Sequence, residues 1–230
     1  MFDRFIKIID EEKFNKIKNL NILIIGIGGV GSYTLEALVR SGVENITIVD
    51  GDIVEKTNLN RQLIALNSTI SQEKVAVAKE RCLDINPNIK INTIKQFIDK
   101  NNIDELFENN YDYIIDACDT ITTKVLLIKK AQELNIKIIS CMGTGNRIDP
   151  TKLEITTLNK TNNDPLARVM RRLLKENNLR LNVPVIWSSE DAIKIKDRTP
   201  GSSALVPSVA GIYIASFIIN DILNRLTETF

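Results

Sequence analysis

Short, almost wholly apolar runs alternate along this chain with longer stretches of helical period. Asn21–Ile25 is such a run, suited to a strand buried on both faces of a parallel sheet. Asn45–Asp50, Lys90–Gln96, Tyr111–Asp116 and Lys137–Cys141 repeat the pattern as the next four strands. Helical patterns fall between them: Ser32–Ser41, closed by Gly42; Ser71–Asn86, stopped by Pro87; Asn102–Asn109; and Thr122–Leu134. A short helix over 11–19 precedes the first strand. After about Gly143 the rhythm changes. Strands at Leu153–Leu158 and Val183–Trp187 flank a helix at Pro165–Asn177. A charged loop, Glu190–Pro200, then leads into an apolar helix within Ala204–Leu223.

Strand alternating with helix predicts an α/β fold with a doubly wound, Rossmann-like sheet, mainly parallel in the first half with some antiparallel strands in the second. The expected organisation is one domain over 1–230: an arm and helix to 20, a nucleotide-binding half over 21–142, and a substrate and dimer half over 143–230. Pro200-Gly-Ser-Ser is the best hinge candidate.

Composition narrows the chemistry. The 230 residues are 43% apolar and 26% charged with net charge +1, so no global field draws nucleic acid and any RNA contact must be local. Three cysteines without a C-x-x-C pair, and no histidine, argue against a disulfide framework and a zinc site. The commonest general base is also missing. Cys118 and Cys141 read as buried small apolar residues and Cys82 as inert in its helix. No signal-peptide layout opens the chain, and Pro207, Ser208, Gly211, Ser216, Asn220 and Asp221 make the last helix a core helix rather than a membrane span. The expected compartment is the cytoplasm.

Gly26, Gly28, Gly29 and Gly31 form a glycine-rich turn between the first strand and its helix. Gly26 permits the turn, Gly28 lets backbone approach a phosphate, and Gly31 allows close helix–strand packing, with the helix N-terminus aimed at the anion. Asp50 ends the second strand, where an acid accepts ribose hydroxyls. So far NAD fits as well as ATP. The next residues favour a triphosphate. Asn58 and Arg61 sit in a polar loop, and Lys74 lies near a helix start, where a cation needs a neutralising anion. Asp116-Ala-Cys-Asp119-Thr120 follows the fourth strand at the carboxyl edge, where Asp119 could hold Mg²⁺ and Asp116 could equally cap the next helix.

The combination Gly-Ile-Gly-Gly-Val-Gly, Asp-Gly-Asp, Thr-Asn-Leu-Asn-Arg-Gln, Lys74 and Asp-Ala-Cys-Asp resembles the E1-like adenylating enzymes, which activate ubiquitin-like and sulfur-carrier proteins among other substrates. The resemblance implies ATP contacts at Asp50, Asn58, Arg61 and Lys74, with Asp52, Gln62 and Thr120 beside them, and an Mg²⁺-linked Asp119. It also implies a homodimer in which Arg4 reaches the partner's ATP. In the second half, Ile148-Asp-Pro-Thr, Asp164-Pro-Leu-Ala-Arg-Val-Met-Arg-Arg, Trp187-Ser-Ser-Glu and Gly201–Gly211 are similar to the branch that dehydrates threonylcarbamoyladenosine in tRNA. Some members of that branch carry a cysteine just before the last helix; here that stretch reads Pro-Gly-Ser-Ser-Ala, so no cysteine step is expected there.

That branch implies an RNA surface. Arg168, Arg171, Arg172 and Lys175 share one face of their helix, opposite an expected apolar stripe of Leu166, Met170, Leu173 and Leu174, and they are the candidate tRNA contacts. Phe2, Phe5 and Tyr213 read as core or interface residues. The expected activity is ATP-dependent adenylation of the threonylcarbamoyladenosine carboxylate, followed by cyclising dehydration. The alternatives are adenylation of a ubiquitin-like or sulfur-carrier C-terminus, an NAD-dependent reductase, or a nucleotide-gated RNA-binding module. A sulfur-transfer protein partner is left open.

Overall fold

The apolar runs become strands β1 (Asn21–Ile25), β2 (Asn45–Val49), β3 (Lys90–Ile94), β4 (Tyr113–Asp116), β5 (Lys137–Cys141), β6 (Leu153–Thr157) and β7 (Pro184–Ser188). In the computed structural model, which describes residues 1–196 and 199–224, they form one sheet in the order β3-β2-β1-β4-β5-β7-β6. All neighbours pair in parallel except β6, which runs antiparallel to β7 with Ile155 opposite Ile186. The expected fold class is therefore observed.

The helices are α1 (Asp3–Ile9), α2 (Glu11–Lys18), α3 (Gly31–Arg40), α4 (Lys74–Ile85), α5 (Ile121–Glu133), α6 (Pro165–Glu176) and α7 (Leu205–Ile222). Side chains alternate across β1. Ile22 and Ile24 join the core beneath α2, α3, α4 and α7. Leu23 and Ile25 join the core beneath α5 and α6. Burial on both faces is why these runs read as continuous apolar strings. Phe2, Phe5 and Tyr213 pack partly buried against the first core, as expected.

Several boundaries moved for local reasons. The helix expected from 71 begins only at Lys74: Ser71 has φ 70°, its N–H donates to Val54 O, and Ile53 bridges Glu73, so the chain is still extended there. Asn102–Asn109 forms 3-10 turns at Ile103–Glu108 rather than an α-helix. Asn102 spends its side chain on Phe97 O and on the N–H of Asp99, local bonds that compete with a helix. An unexpected α1 precedes α2, and the two are separated by Asp10 at φ 73°. Asp164 caps α6 by accepting from the Ala167 N–H at 2.9 Å, with Pro165 in the first turn. The buried stripe of α6 is Ala167, Met170 and Leu174; Leu173 is not part of it, so the expected stripe is shifted.

Helix α7 is by length and composition apolar enough to cross a membrane, and half of it is buried inside the protein. It packs against α3. At Gly211 an added Cβ would stand 2.4 Å from Val30 O, and Thr34 Oγ1 donates to Gly211 O at 3.1 Å. Pro200–Ser203 is not a free hinge. Gly201 N donates to Asn146 Oδ1 at 2.6 Å, Asn146 N donates to Gly201 O at 2.8 Å, and Asn60 Nδ2 donates to Ser202 O at 2.8 Å.

Candidate active site

Strand order reverses between β1 and β4, where their following segments diverge to opposite faces and open a crevice at the carboxyl edge. A cleft of about 780 Å³ lies there, lined by Gly26, Gly28, Gly29, Asp50, Asp52, Asn58, Arg61, Gln62, Lys74, Asp119 and Thr120 among others. The tertiary structure thus brings together residues from five separate stretches of sequence.

The glycines divide their work. Gly26 has φ +91°, and a Cβ on it would meet Ala117 O at 2.7 Å. On Gly31 a Cβ would meet Gly26 O at 1.8 Å, so this residue closes the turn onto α3 and does not itself line the cleft. Gly28 is different: a Cβ there would meet only Gln62 Nε2, at 3.8 Å. Its bare backbone faces open space that a ligand can approach closely. Beside it Gln62 is buried, and its Oε1 has no hydrogen-bond partner among the described residues.

Asp50 holds the turn as well as facing the cleft. Its Oδ2 accepts from Ile27 N at 2.7 Å and its Oδ1 from Asp52 N at 2.9 Å. Lys74, the first residue of α4, is only 5% exposed, and its Nζ lies 2.9 Å from Asp52 Oδ2. Arg61 is half-buried; its guanidinium donates to Thr57 O at 2.8 Å and Asn60 Oδ1 at 3.0 Å and pairs with no acid among the described residues. Asn58 is buried, and its Oδ1 accepts from Glu55 N, which fixes the polar loop carrying Arg61. A half-buried guanidinium without a counter-charge at a glycine turn suits an anionic ligand. Four acids (Asp50, Asp52, Asp99, Asp119) nevertheless share the cleft with these two cations.

Asp119 and Thr120 are exposed in the β4–α5 segment, with Thr120 Oγ1 donating to Asp119 Oδ1 at 3.4 Å. Asp116 neither caps α5 nor faces the cleft. It is fully buried, and Lys124 Nζ reaches its two oxygens at 3.0 and 3.1 Å while also donating to Cys141 O at 2.7 Å. Ser140 Oγ donates to the same carboxylate. No motif of the sequence announces this buried lysine. Its signal is a charge on the apolar face of α5, between Ile121 and Ile128. Burial lowers the Lys124 pKa, but Asp116 outweighs it and the net shift is upward.

Cys118 departs from the expected full burial; it is half-buried on the cleft wall. Burial first, then the Asp116 carboxylate, pushes its thiol well above the usual 9.0, which makes it a poor nucleophile. Burial pushes Cys141 and Cys82 up to about 12.

Two groups of expected site residues lie outside the cleft. Arg4 is exposed on α1 and is not part of the cleft in one chain. On α6, Arg168, Arg172 and Lys175 are exposed, whereas Arg171 turns back and donates to Leu158 O at 3.3 Å and Thr161 O at 3.0 Å. It ties α6 to the preceding loop, so the exposed cationic face is three residues rather than four. The cleft also includes residues the motifs did not announce: Phe97 after β3, the Gly143-Thr144-Gly145 loop, Leu166, and Pro200 to Ser202.

Comparison with known proteins agrees with this geometry. The ThiF family model matches residues 2–224. The tRNA threonylcarbamoyladenosine dehydratase of Bacillus subtilis (strain 168) is 39% identical over 235 residues, spanning 95% of this chain and 92% of that protein. The Haemophilus influenzae protein of the same name is 41% identical over 161 residues, 70% of this chain and 62% of its own length. The crystal structure of the Escherichia coli tRNA N6-threonylcarbamoyladenosine dehydratase in complex with ATP superposes with a TM-score of 0.92 at 31% identity, over 97% of this chain and 94% of that one.

Proposed function

The chain belongs to the ThiF family, and from that premise we propose that it is an ATP-dependent tRNA threonylcarbamoyladenosine dehydratase. The observation that carries this reading is the pairing of a bare Gly28 cradle with Arg61, a half-buried guanidinium lacking an acidic partner among the described residues, in one cleft. ATP fits the residues present. The glycine turn would hold the triphosphate, Asp50 would accept ribose hydroxyls, and Arg61 and Lys74 would take phosphate oxygens. A divalent cation carried in with the nucleotide fits too, because the cleft's acids outnumber its cations; no side-chain cluster able to hold a metal by itself occurs among the described residues. Asp119 is the residue that would hold Mg²⁺, and the ion would supply charge neutralisation there.

The substrate carboxylate of the modified adenosine is already anionic at neutral pH, so attack on the α-phosphorus needs no general base. That agrees with a chain lacking histidine. A carboxylate oxygen bonds to the α-phosphorus as the bond to the bridging oxygen breaks, and pyrophosphate leaves. Arg61 and Lys74 offset the charge that builds on the phosphates. A nitrogen of the same side chain then bonds to the activated carbonyl carbon, gives up its proton to solvent, and expels AMP. The tRNA product is lighter by one water. Ring closure within one side chain gains from proximity, so few protein groups are required.

Arg168, Arg172 and Lys175 hold the tRNA backbone, and Arg4 completes the cleft of a second subunit in a homodimer of cytoplasmic location. The exposure of Arg4 on α1, without an acidic partner among the described residues, supports that role. The test is pyrophosphate exchange into ATP with tRNA from cells lacking this protein. Exchange, AMP release and a product lighter by one water are expected. Exchange triggered only by a diglycine-tailed carrier protein, or tight NADH binding in place of ATP, overturns the reading.

A further inference from the structure

We propose that Phe97 is the platform on which the purine ring of the nucleotide stacks, so that this residue sets the preference of the cleft for a purine over a pyrimidine triphosphate. The inference rests on the reading of the cleft as a nucleoside triphosphate site and adds the group that recognises the base.

Phe97 is 68% exposed, the one aromatic among the exposed large hydrophobics of the described residues, and it lines the same cleft as the glycine turn and Asp50. An exposed aromatic face lining a cleft that also holds convergent polar groups is the surface such a site offers to the apolar part of a ligand. Sheet order says what that partner is. β1, β2 and β3 lie side by side, and the segments leaving their carboxyl ends are the glycine turn, Asp50 and the stretch containing Phe97. A nucleotide with phosphates on the turn and ribose on Asp50 carries its base outward past β2, towards the residues that follow β3.

The ring is placed, not loose. A Cβ on Gly51 would stand 2.7 Å from two of its atoms, so the phenyl lies directly on the backbone of the residue after Asp50, and only glycine leaves it that room. The backbone on either side is tied down. Asn102 Nδ2 donates to Phe97 O at 2.9 Å, Thr123 Oγ1 donates to Ile98 O at 2.7 Å, and Ile98 is buried in the same core as Ile103 and Leu106. Asp50 N donates to Ile94 O at 3.2 Å, which fixes the end of β3 to the ribose acid. A rigid backbone therefore presents an aromatic face just beyond the ribose position. Stacking recognises a π-face irrespective of its polar edge, and a purine offers the larger face.

The experiment is calorimetric titration of the full-length protein with MgATP, MgCTP and inorganic tripolyphosphate, without RNA. Phe97→Ala is expected to weaken ATP about tenfold (about 1.4 kcal/mol), to narrow the ratio of ATP to CTP affinity, and to leave tripolyphosphate unchanged. Phe97→Trp is expected to keep ATP affinity and to have its added emission quenched by ATP. Equal ATP affinity in wild type and Phe97→Ala overturns the proposal, as does a parallel loss for ATP and tripolyphosphate, which would mark a general distortion of the cleft. If wild type itself binds no ATP, the functional reading falls and this proposal with it. If wild type binds ATP and turns over tRNA while Phe97→Ala is unaltered, only this proposal falls.

Discussion

Lys74 and Lys124 are both buried lysines, and they test opposite things. Lys74 pairs with an Asp52 side chain that is 53% exposed, so removing the amine leaves that acid free to hydrate. Lys74→Ala is expected to leave thermal unfolding nearly unchanged while lowering pyrophosphate exchange by about 100-fold or more, as loss of a group opposing developing charge does. Retained exchange would remove Lys74 from the active site. Lys124 instead faces a fully buried carboxylate. Lys124→Met strands Asp116 as an uncompensated buried charge, a defect that costs about 3–5 kcal/mol. Urea denaturation should show that loss, and the double variant Lys124→Met with Asp116→Asn should recover part of it. A single variant as stable as wild type would mean that the pair is not closed in solution.

At the scale of elements, two helices carry distinct burdens. Helix α7 lies on α3 through a glycine, and a Cβ on Gly211 would stand only 2.4 Å from Val30 O. Gly211→Ala should cost about 1–3 kcal/mol by forcing the helices apart, read as a lower urea midpoint with an unchanged slope. Arg81 ties α4 to α3 through Glu36, with Nε–Oε2 at 2.7 Å. Helix α6 is amphipathic with a short cationic face. Replacing Arg168, Arg172 and Lys175 together by alanine should weaken tRNA binding and flatten its dependence on log salt by about two to three units of slope, near one for each phosphate left without its cation. Unchanged affinity and slope would place the tRNA elsewhere. Arg171→Ala should lower stability instead, because its donors hold the loop carbonyls of Leu158 and Thr161.

For the whole molecule, the titrating groups predict an alkaline limit. Burial pushes the Cys82 and Cys141 thiols up to about 12 from the usual 9.0, and Tyr113 and Lys124 are also shifted upward. Each favours its protonated form in the folded state, so the stability they contribute is complete below about pH 9 and drains away as pH rises towards 12. Glu36 acts in the other direction. Burial raises its pKa, hydrogen bonds from Arg81 and Arg40 outweigh that, and the net lowering gives stability that is lost as pH falls below the usual 4.5. Urea midpoints measured from pH 4 to 11 should plateau in between; a midpoint still rising above pH 9 would contradict the buried thiols. The amino-acid sequence by itself determined the β1 to β5 strands, the glycine turn and the identity of Asp50, Asn58, Arg61 and Lys74. These rest on local period, on the steric need for glycine, and on motifs short enough to read along the chain. Only the tertiary structure decided that Lys124 neutralises Asp116, that Arg171 is a strut, that Pro200–Ser203 is latched to Asn146 and Asn60, and that Phe97 stands in the cleft beside Asp50 and the glycine turn. Those facts depend on which strand ends the sheet sets side by side, and long-range proximity leaves no periodic trace in a linear sequence.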